Sequence, residues 1–592
     1  MKFFKVFLAA LLAVIVGSII TGFVWFMIFM VMVASSMPSG STVKSHSILT
    51  INFDESIQDT PETDPFAGFD LMSMELNSSI SLWEVLRALE AAKTDDRIDG
   101  IYLRFTGGGS SDAATVEELR NALLDFRESG KFVVAYNETY TQTGYYLASA
   151  ADKIYLQPEG GLSWQGLSFS VMFYKGLLDK LDISVEVFRP TVCKYKSAVE
   201  PFILTGMSDA NRQQMTELAE SMWKTMTEAV AESRGISVEQ LNAIADNLSV
   251  TLPEEALEYG FVDGLIYEDE MDDIFAELGA QTDRKGEYRF VTLGEYAGQL
   301  TSSGSLKDPK VAIIYAEGDI VDGYGSNGSI YGNSLAELLK SARLDDNVKS
   351  VVLRVNSPGG SALASDVIWR EMELLKAQKP VIVSMGGYAA SGGYYISAPA
   401  DYIVADNLTL TGSIGVFGMI PYGGKFLKDK IGITFDAVNT NTSSDMGGIS
   451  RQLKDSERAT IMRGVDKVYT TFTGLVSEGR NLPLDDVLEI AGGRVWSGSE
   501  GCEIGLVDEI GGLKRAISIA AQTAELGDNY RVEEILNEPS GFGEIFGSLN
   551  TRIGEKYMKS KYGEFYRDYE KAQEIVSRKG VQAYCPYVIG IN

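Results

Sequence analysis

Histidine is almost absent from this chain: of 592 residues only His46 carries an imidazole, and it lies ahead of both large repeated segments. That removes Ser-His-Asp catalysis, the His-Glu-x-x-His zinc helix and most imidazole metal sites from consideration. Cysteine is also scarce. Cys193, Cys502 and Cys585 are far apart with no Cys-x-x-Cys spacing, so neither a disulfide scaffold nor a zinc ribbon fits, and each reads as a small packed thiol. Basic residues are outnumbered, 52 Lys and Arg against 81 Asp and Glu, for a formal charge of −29. Binding to nucleic acid or an anionic lipid surface needs clustered positive charge, so no nucleic-acid partner is expected.

What the chain has in quantity is itself, twice. The run Ile101 to Ser110 (IYLRFTGGGS) matches Val351 to Ser361 (VVLRVNSPGGS), and Gly144-Tyr145-Tyr146-Leu147 matches Gly393-Tyr394-Tyr395-Ile396, an offset of 249 residues. Ala151-Asp152 recurs as Ala400-Asp401, and Tyr259 to Gly264 (YGFVDG) as Ile504 to Glu509 (IGLVDE). The copies differ where chemistry would sit. By the offset of 249 Ser391 faces Gln142, and by the offset of 250 that relates Lys180 to Lys430, Lys196 faces Met446.

In each copy an alternating strand (Ile48 to Phe53; Val311 to Tyr315) leads to a helical stretch (Leu82 to Ala92; Ser334 to Ala342). A buried strand, a glycine-rich loop, another helix and another strand (Phe132 to Ala135; Val381 to Ser384) follow. Strands alternating with helices predict an α/β fold of parallel βαβ units. Ser208 to Arg234 and Asp455 to Arg480 read as long helices in matching positions. The expected divisions are 1–47 (cytoplasmic stub, anchor and tether), 48–298 (first copy), 299–310 (a small, polar linker), 311–530 (second copy) and 531–592, a helical extension without counterpart in the first copy.

Val6 to Ala34 has no charged residue. At about 1.5 Å per residue it would cover about 43 Å, against a hydrocarbon core of about 30 Å. It is longer than a signal-peptide core, although Val33-Ala34-Ser35 would suit cleavage. Lys2 and Lys5 ahead of it predict a single-pass anchor with the N-terminus in the cytoplasm and the body outside.

Ser391 follows a strand, in Tyr388-Ala389-Ala390-Ser391-Gly392-Gly393-Tyr394. A nucleophile there gains open backbone amides and small neighbours, yet an ordinary helix cap reads the same way. Asn356-Ser357-Pro358-Gly359-Gly360-Ser361 closes another buried strand, where paired glycines can aim amides at an oxyanion or simply turn the chain. Gly107-Gly108-Gly109 occupies that place in the first copy. Without histidine, a serine needs another base. A lysine serves once burial lowers its pKa from about 10.4 toward neutrality. Lys196, in Tyr195-Lys196-Ser197-Ala198-Val199-Glu200-Pro201-Phe202, has an apolar, small setting, with Lys194 as its rival.

Taken together, these two motifs, about 195 residues apart on a duplicated chain with one apolar N-terminal run, resemble the long form of bacterial signal peptide peptidase, also called protease IV. The likeness covers the chain from the anchor to about residue 530. It implies two tandem ClpP/crotonase-like domains and a Ser/Lys peptidase with Lys196 as base and Ser391 as nucleophile. Backbone amides of Gly359, Gly360 and Gly392 would form the oxyanion hole. Thr411-Gly412-Ser413-Ile414-Gly415 matches the family's run carrying a serine bonded to the base, which falls on Ser413; Trp164 stands there in the first copy. The resemblance also implies no cofactor, a tetramer, and signal-peptide remnants and other short apolar peptides as substrates. It leaves open whether the working lysine and serine belong to one chain. A crotonase-like acyl-CoA enzyme and a non-catalytic membrane scaffold are the alternatives; an external location counts against the first, and the presence of both Ser391 and Lys196 against the second.

Overall fold

A computed structural model describes residues 43–53, 57–61, 69–70, 75–76, 80–105, 112–300, 305, 307–326, 328–537 and 581–585, with a few isolated positions between 7 and 21. Gly107-Gly108-Gly109 and nearly all of the charge-free run Val6 to Ala34 lie outside the described residues. Among the described residues no helix is long and apolar enough to cross a membrane.

Two sheets carry the duplication. The first is wholly parallel, in the order Gly264–Leu265, Lys153–Leu162, Phe132–Tyr140, Ile98–Arg104, Ser47–Asn52, Arg289–Thr292. The second repeats that order with Glu509–Ile510, Tyr402–Ala405, Val381–Ala390, Val348–Ser357, Lys310–Glu317 and Arg531–Ile535. Leu410–Gly412 extends it and pairs antiparallel with Val495–Ser497. The central strands are buried on both faces, Val351, Val352 and Leu353 being fully enclosed, as a parallel sheet covered by helices requires.

The repeated aspartates and tyrosines have repeated jobs. Asp152 and Asp401 accept the amides of Val133 and Val381 at 2.8 Å, and Asp263 and Asp508 accept those of Ile154 and Ile403 at 2.8 and 2.7 Å. Tyr145 and Tyr394 donate their hydroxyls to the carbonyls of Phe261 and Leu506, at 2.8 and 2.9 Å. Each bond satisfies a polar group that the sheet would otherwise bury without a partner.

Residues 531–592 are not a purely helical extension. Arg531–Ile535 is a strand pairing with Lys310–Glu317, as Arg289–Thr292 pairs with Ser47–Asn52, so the second copy ends as the first does. Its charged spacing, Arg-Val-Glu-Glu-Ile, hides an edge strand from periodicity. Gln582–Tyr584 is a further strand, antiparallel to Gly359–Ser361.

A buried ionic knot joins the halves. Arg354, with no exposed side-chain surface, donates to Asp59 at 2.8 Å and lies 3.3 Å from Glu118, both from the first half. Asn356 adds bonds to Asp59 and Asp112 at 2.8 and 3.2 Å. The matching Arg104 of the first copy instead pairs with Glu268 near the surface. Arg354→Met would leave Asp59 and Glu118 facing each other without a cation, a defect worth about 3–5 kcal/mol. Thermal unfolding followed by circular dichroism should show a clear fall in Tm, and an unchanged Tm would mean that the knot does not join the halves.

Candidate active site

Ser391 ends the strand Val381–Ala390 and opens the short helix Gly392–Ser397. Its backbone stands at φ 57°, ψ −111°, a conformation costly for a residue with a Cβ. The turn is held by Ser391 N donating to Gly412 O and Tyr395 N donating to Ser391 O, both at 2.8 Å. The Ser391 side chain makes no capping bond, so the helix-cap reading fails here. In the first copy the equivalent helix begins with Thr141, whose Oγ1 does cap, accepting the Gly144 amide at 3.1 Å.

The Ser391 Oγ lies 2.6 Å from Nζ of Lys196. The same nitrogen is 2.9 Å from both the carbonyl oxygen and the Oγ of Ser413. Three partners saturate an amine. Uncharged, it donates two protons to Ser413 and keeps a lone pair for the serine hydroxyl. Lys196 is 1% exposed, and this burial pulls its pKa down to about 7, while the neighbouring Cys585 and Cys193 thiols oppose the fall. Lys194 is exposed, its Nζ over the Tyr195 ring, and is not part of the site.

Several residues with no obvious sequence signal place Lys196. The strand Ser184–Phe188 of the first half pairs antiparallel with Gly418–Tyr422 of the second, carrying the chain across. Tyr195 N then donates to Gly492 O at 3.0 Å, and Arg189 Nη1 to Lys196 O at 2.7 Å. Gly493, at φ 83°, lies so close that a Cβ there would stand 2.6 Å from the Cβ of Lys196. Gln214 donates to Tyr195 O at 2.9 Å and accepts from the Val495 amide at 3.3 Å, tying both halves to the lysine's loop. Glu200 accepts from Ser208 Oγ at 2.6 Å and Asn211 Nδ2 at 3.0 Å, anchoring the loop to the helix Asp209–Arg234.

Gly359 and Gly360 form a short strand, Gly359–Ser361, at φ 101° and 155°. The Gly359 amide donates to Ser357 Oγ at 3.1 Å, so that N–H is already engaged. Of the three amides expected to hold an oxyanion, that of Gly359 thus has a partner within its own turn. Gly392 supplies the first amide of its helix, which has no intrahelical acceptor.

The first copy has closed the corresponding place. Gln142, buried, accepts the amides of Gln165 and Gly166 at 3.0 Å through its carboxamide oxygen and donates to Gly166 O at 3.2 Å. Trp164 is enclosed among Tyr145, Trp223 and Phe261, its indole N–H donating to Leu241 O at 3.1 Å. Met446, opposite Lys196 in the repeat, is 45% exposed.

If Ser413 Oγ accepts a proton from the lysine, its loss disfavours the ammonium more than the amine. Ser413→Ala should then lower kcat about tenfold and move the acidic limb of the pH–rate profile to lower pH. A purely structural Ser413 would leave that limb in place.

A hydroxyl on a strained strand-to-helix turn, a buried amine of lowered pKa in contact with it, and glycine amides alongside define a serine hydrolase without histidine. The chain belongs to peptidase family S49: the family's model matches residues 125–281 and 373–527, one stretch in each copy. A model of Clp protease also matches residues 310–404. The chain is similar to Protease 4 of Salmonella typhi, 36% identical over 553 residues, covering 89% of this chain and 87% of that protein. Protease 4 of Haemophilus influenzae is 34% identical, covering 88% and 86%. The chloroplastic serine protease SPPA of Arabidopsis thaliana is 34% identical, covering 80% and 70%. The protein is a serine peptidase, as its long, duplicated form led us to expect.

Proposed function

We propose that this peptidase works through a Ser391–Lys196 dyad and degrades short apolar peptides, signal-peptide remnants among them, at the outer face of the cytoplasmic membrane. Ser391 Oγ attacks the scissile carbonyl while neutral Lys196 takes its proton, and the oxyanion rests on the amides of Gly360 and Gly392. Lys196 then protonates the leaving amine, and afterwards takes a proton from the water that frees the acyl group. Ser413 keeps the amine aimed.

The observation that carries this reading is the contact of 2.6 Å between Nζ and Oγ inside a pocket that excludes water from the lysine. Apolar substrates suit the walls, since Ala198, Val199 and Phe417 are buried together beside the dyad. The charge-free run Val6 to Ala34 would anchor the body where such peptides emerge, and assembly as a tetramer would enclose the sites. The serine and lysine in contact belong to one chain, which favours a site completed within each subunit.

Full-length protein in detergent micelles, given an apolar peptide with small residues along its length, should cleave it, and the Ser391→Ala chain should not. Equal cleavage by both would overturn the dyad. Protease added to intact spheroplasts should digest the body of the protein; full protection would overturn the external location.

A further inference from the structure

The two members of the dyad come from different halves of the chain, and the short segment Gly492 to Val495 runs between the loops that carry them. On one side Gly492 O accepts the amide of Tyr195 at 3.0 Å, and a Cβ on Gly493 would stand 2.7 Å from Lys196 N. On the other side Arg494 O accepts the amide of Ser413 at 2.7 Å, and Gly493 N donates to Ile414 O at 2.9 Å. Val495 pairs with Gly412, whose carbonyl accepts the amide of Ser391 at 2.8 Å. How this segment seats against the lysine loop therefore sets the distance from base to nucleophile.

The helix Asp209–Arg234 of the first half fixes that seat. Its positions 214, 217 and 221 are three and four residues apart and so share one face. Glu217 pairs with Arg494, and Ser221 Oγ lies 2.8 Å from Ser497 Oγ. Gln214, on the same face and 1% exposed, reaches the lysine loop as well. Its carboxamide accepts the Val495 amide at 3.3 Å and donates to Tyr195 O at 2.9 Å and Ser197 Oγ at 3.0 Å. Tyr195 and Ser197 flank Lys196, so one planar group holds the base's loop on both sides and the strand that leads to Ser413 and Ser391. A lysine amine rides on a flexible four-carbon stem. It stays 2.6 Å from Ser391 Oγ only while the loop beneath it is fixed.

Resting on the Ser391–Lys196 reading, we infer that Gln214 is a positioning residue for catalysis, holding the base of the first half within reach of the nucleophile of the second. Its bonds go to the loop and the strand, so it acts through Lys196. Without them the loop is free to draw back from Gly492 to Val495. An amine misplaced by about 1 Å costs on the order of 10²-fold in rate. Water admitted beside it relieves the burial that keeps the lysine's pKa down to about 7, and that pKa then rises. The acidic limb of the pH–rate profile moves to higher pH, so the loss is greatest near neutrality and shrinks as the pH is raised.

The test is kcat, KM and the pH profile for cleavage of an apolar reporter peptide by full-length protein in detergent micelles. Wild type is compared with Gln214→Met, Gln214→Asn, Ser221→Ala and Lys196→Met. Methionine fills the space of Gln214 without its bonds. Gln214→Met should lower kcat about 10- to 100-fold near neutral pH with KM unchanged, move the acidic limb to higher pH, and recover part of the loss at about pH 9. Ser221→Ala, which breaks a bond between the same helix and the same strand, should behave as wild type. A wild-type kcat in Gln214→Met overturns the inference, as does a lowered kcat with the limb unmoved, the mark of a merely structural role. An equal loss in Ser221→Ala also overturns it, because docking of the helix in general would then be what matters. If circular dichroism shows Gln214→Met unfolded, Gln214→Asn, whose carboxamide is one methylene short of spanning loop and strand, decides by the same readouts. Activity in Lys196→Met removes the dyad and this inference with it, whereas an inactive Lys196→Met beside an unaltered Gln214→Met leaves the dyad standing.

Discussion

Replacing Lys196 by methionine should abolish peptide hydrolysis, with kcat/KM falling by about 10⁴ or more, equivalent to about 5.5 kcal/mol of transition-state stabilisation. Methionine is close to lysine in length and better suited to burial, so the fold should keep or gain stability, and the loss is chemical. The serine hydroxyl has a pKa far above neutrality, and among its neighbours Lys196 Nζ, at 2.6 Å, is the group able to take its proton near pH 7. Arginine would not substitute, because its guanidinium stays protonated and accepts nothing. The assay is reporter cleavage by wild type and Lys196→Met at equal concentration, with circular dichroism to confirm folding. Retained activity within tenfold would mean that another base serves Ser391.

Gly359→Ala should cost less, about 10²–10³ in kcat/KM, and for a different reason. The backbone at φ 101° disfavours any side chain, and the added methyl would enter the space shared by the Ala583 carbonyl and the Gly392 amide. A bound peptide would have to place its scissile carbonyl elsewhere. The surroundings of that methyl are the cleft itself, so the two sheets should be unaffected and Tm should fall by only a few degrees. Activity close to wild type would show that substrates lie in another register.

The duplication was legible because it is written in residues whose roles are local and repeated. Asp152 and Asp401 close strand starts, Tyr145 and Tyr394 tie helices to carbonyls, and such bonds keep the same sequence spacing in both copies. The scarcity of histidine points to lysine chemistry, and the resemblance of the two motifs to signal peptide peptidase, rather than their flanking residues alone, singles out Ser391 and Lys196. The supports of Lys196 were not legible, since Gly492 and Gly493 meet its loop only after the two halves have docked, and Gln214 links that loop to Val495 of the other half. Nor did the glycine pair reveal that the Gly359 amide donates to Ser357 Oγ. The end of the second copy was obscured because an edge strand, half exposed, tolerates the charges of Arg531 to Ile535. In the same way, Val581 to Cys585 has no pattern of its own: its conformation is imposed by the strand Gly359–Ser361 on one edge and by Phe417 on the other.

The first copy gives the clearest account of what the second kept. With Gln142 bonded to Gln165 and Gly166, and Trp164 filling the space where Ser413 stands in the other copy, no room for a buried lysine remains. The lysine loop of the first half reaches Ser391 of the second, and the Arg354 knot with Asp59 and Glu118 joins the halves.

The central claim is that Lys196 acts as a neutral base held by burial, and the dependence of kcat/KM on pH tests it most directly. With its pKa drawn down to about 7, the lysine is protonated and inactive below that value and free to accept the serine proton above it. A single limb should rise with pH, have its midpoint near pH 7, and level off above. A profile that is flat across this range, or one that begins to rise only near the ordinary lysine value of 10.5, would contradict it.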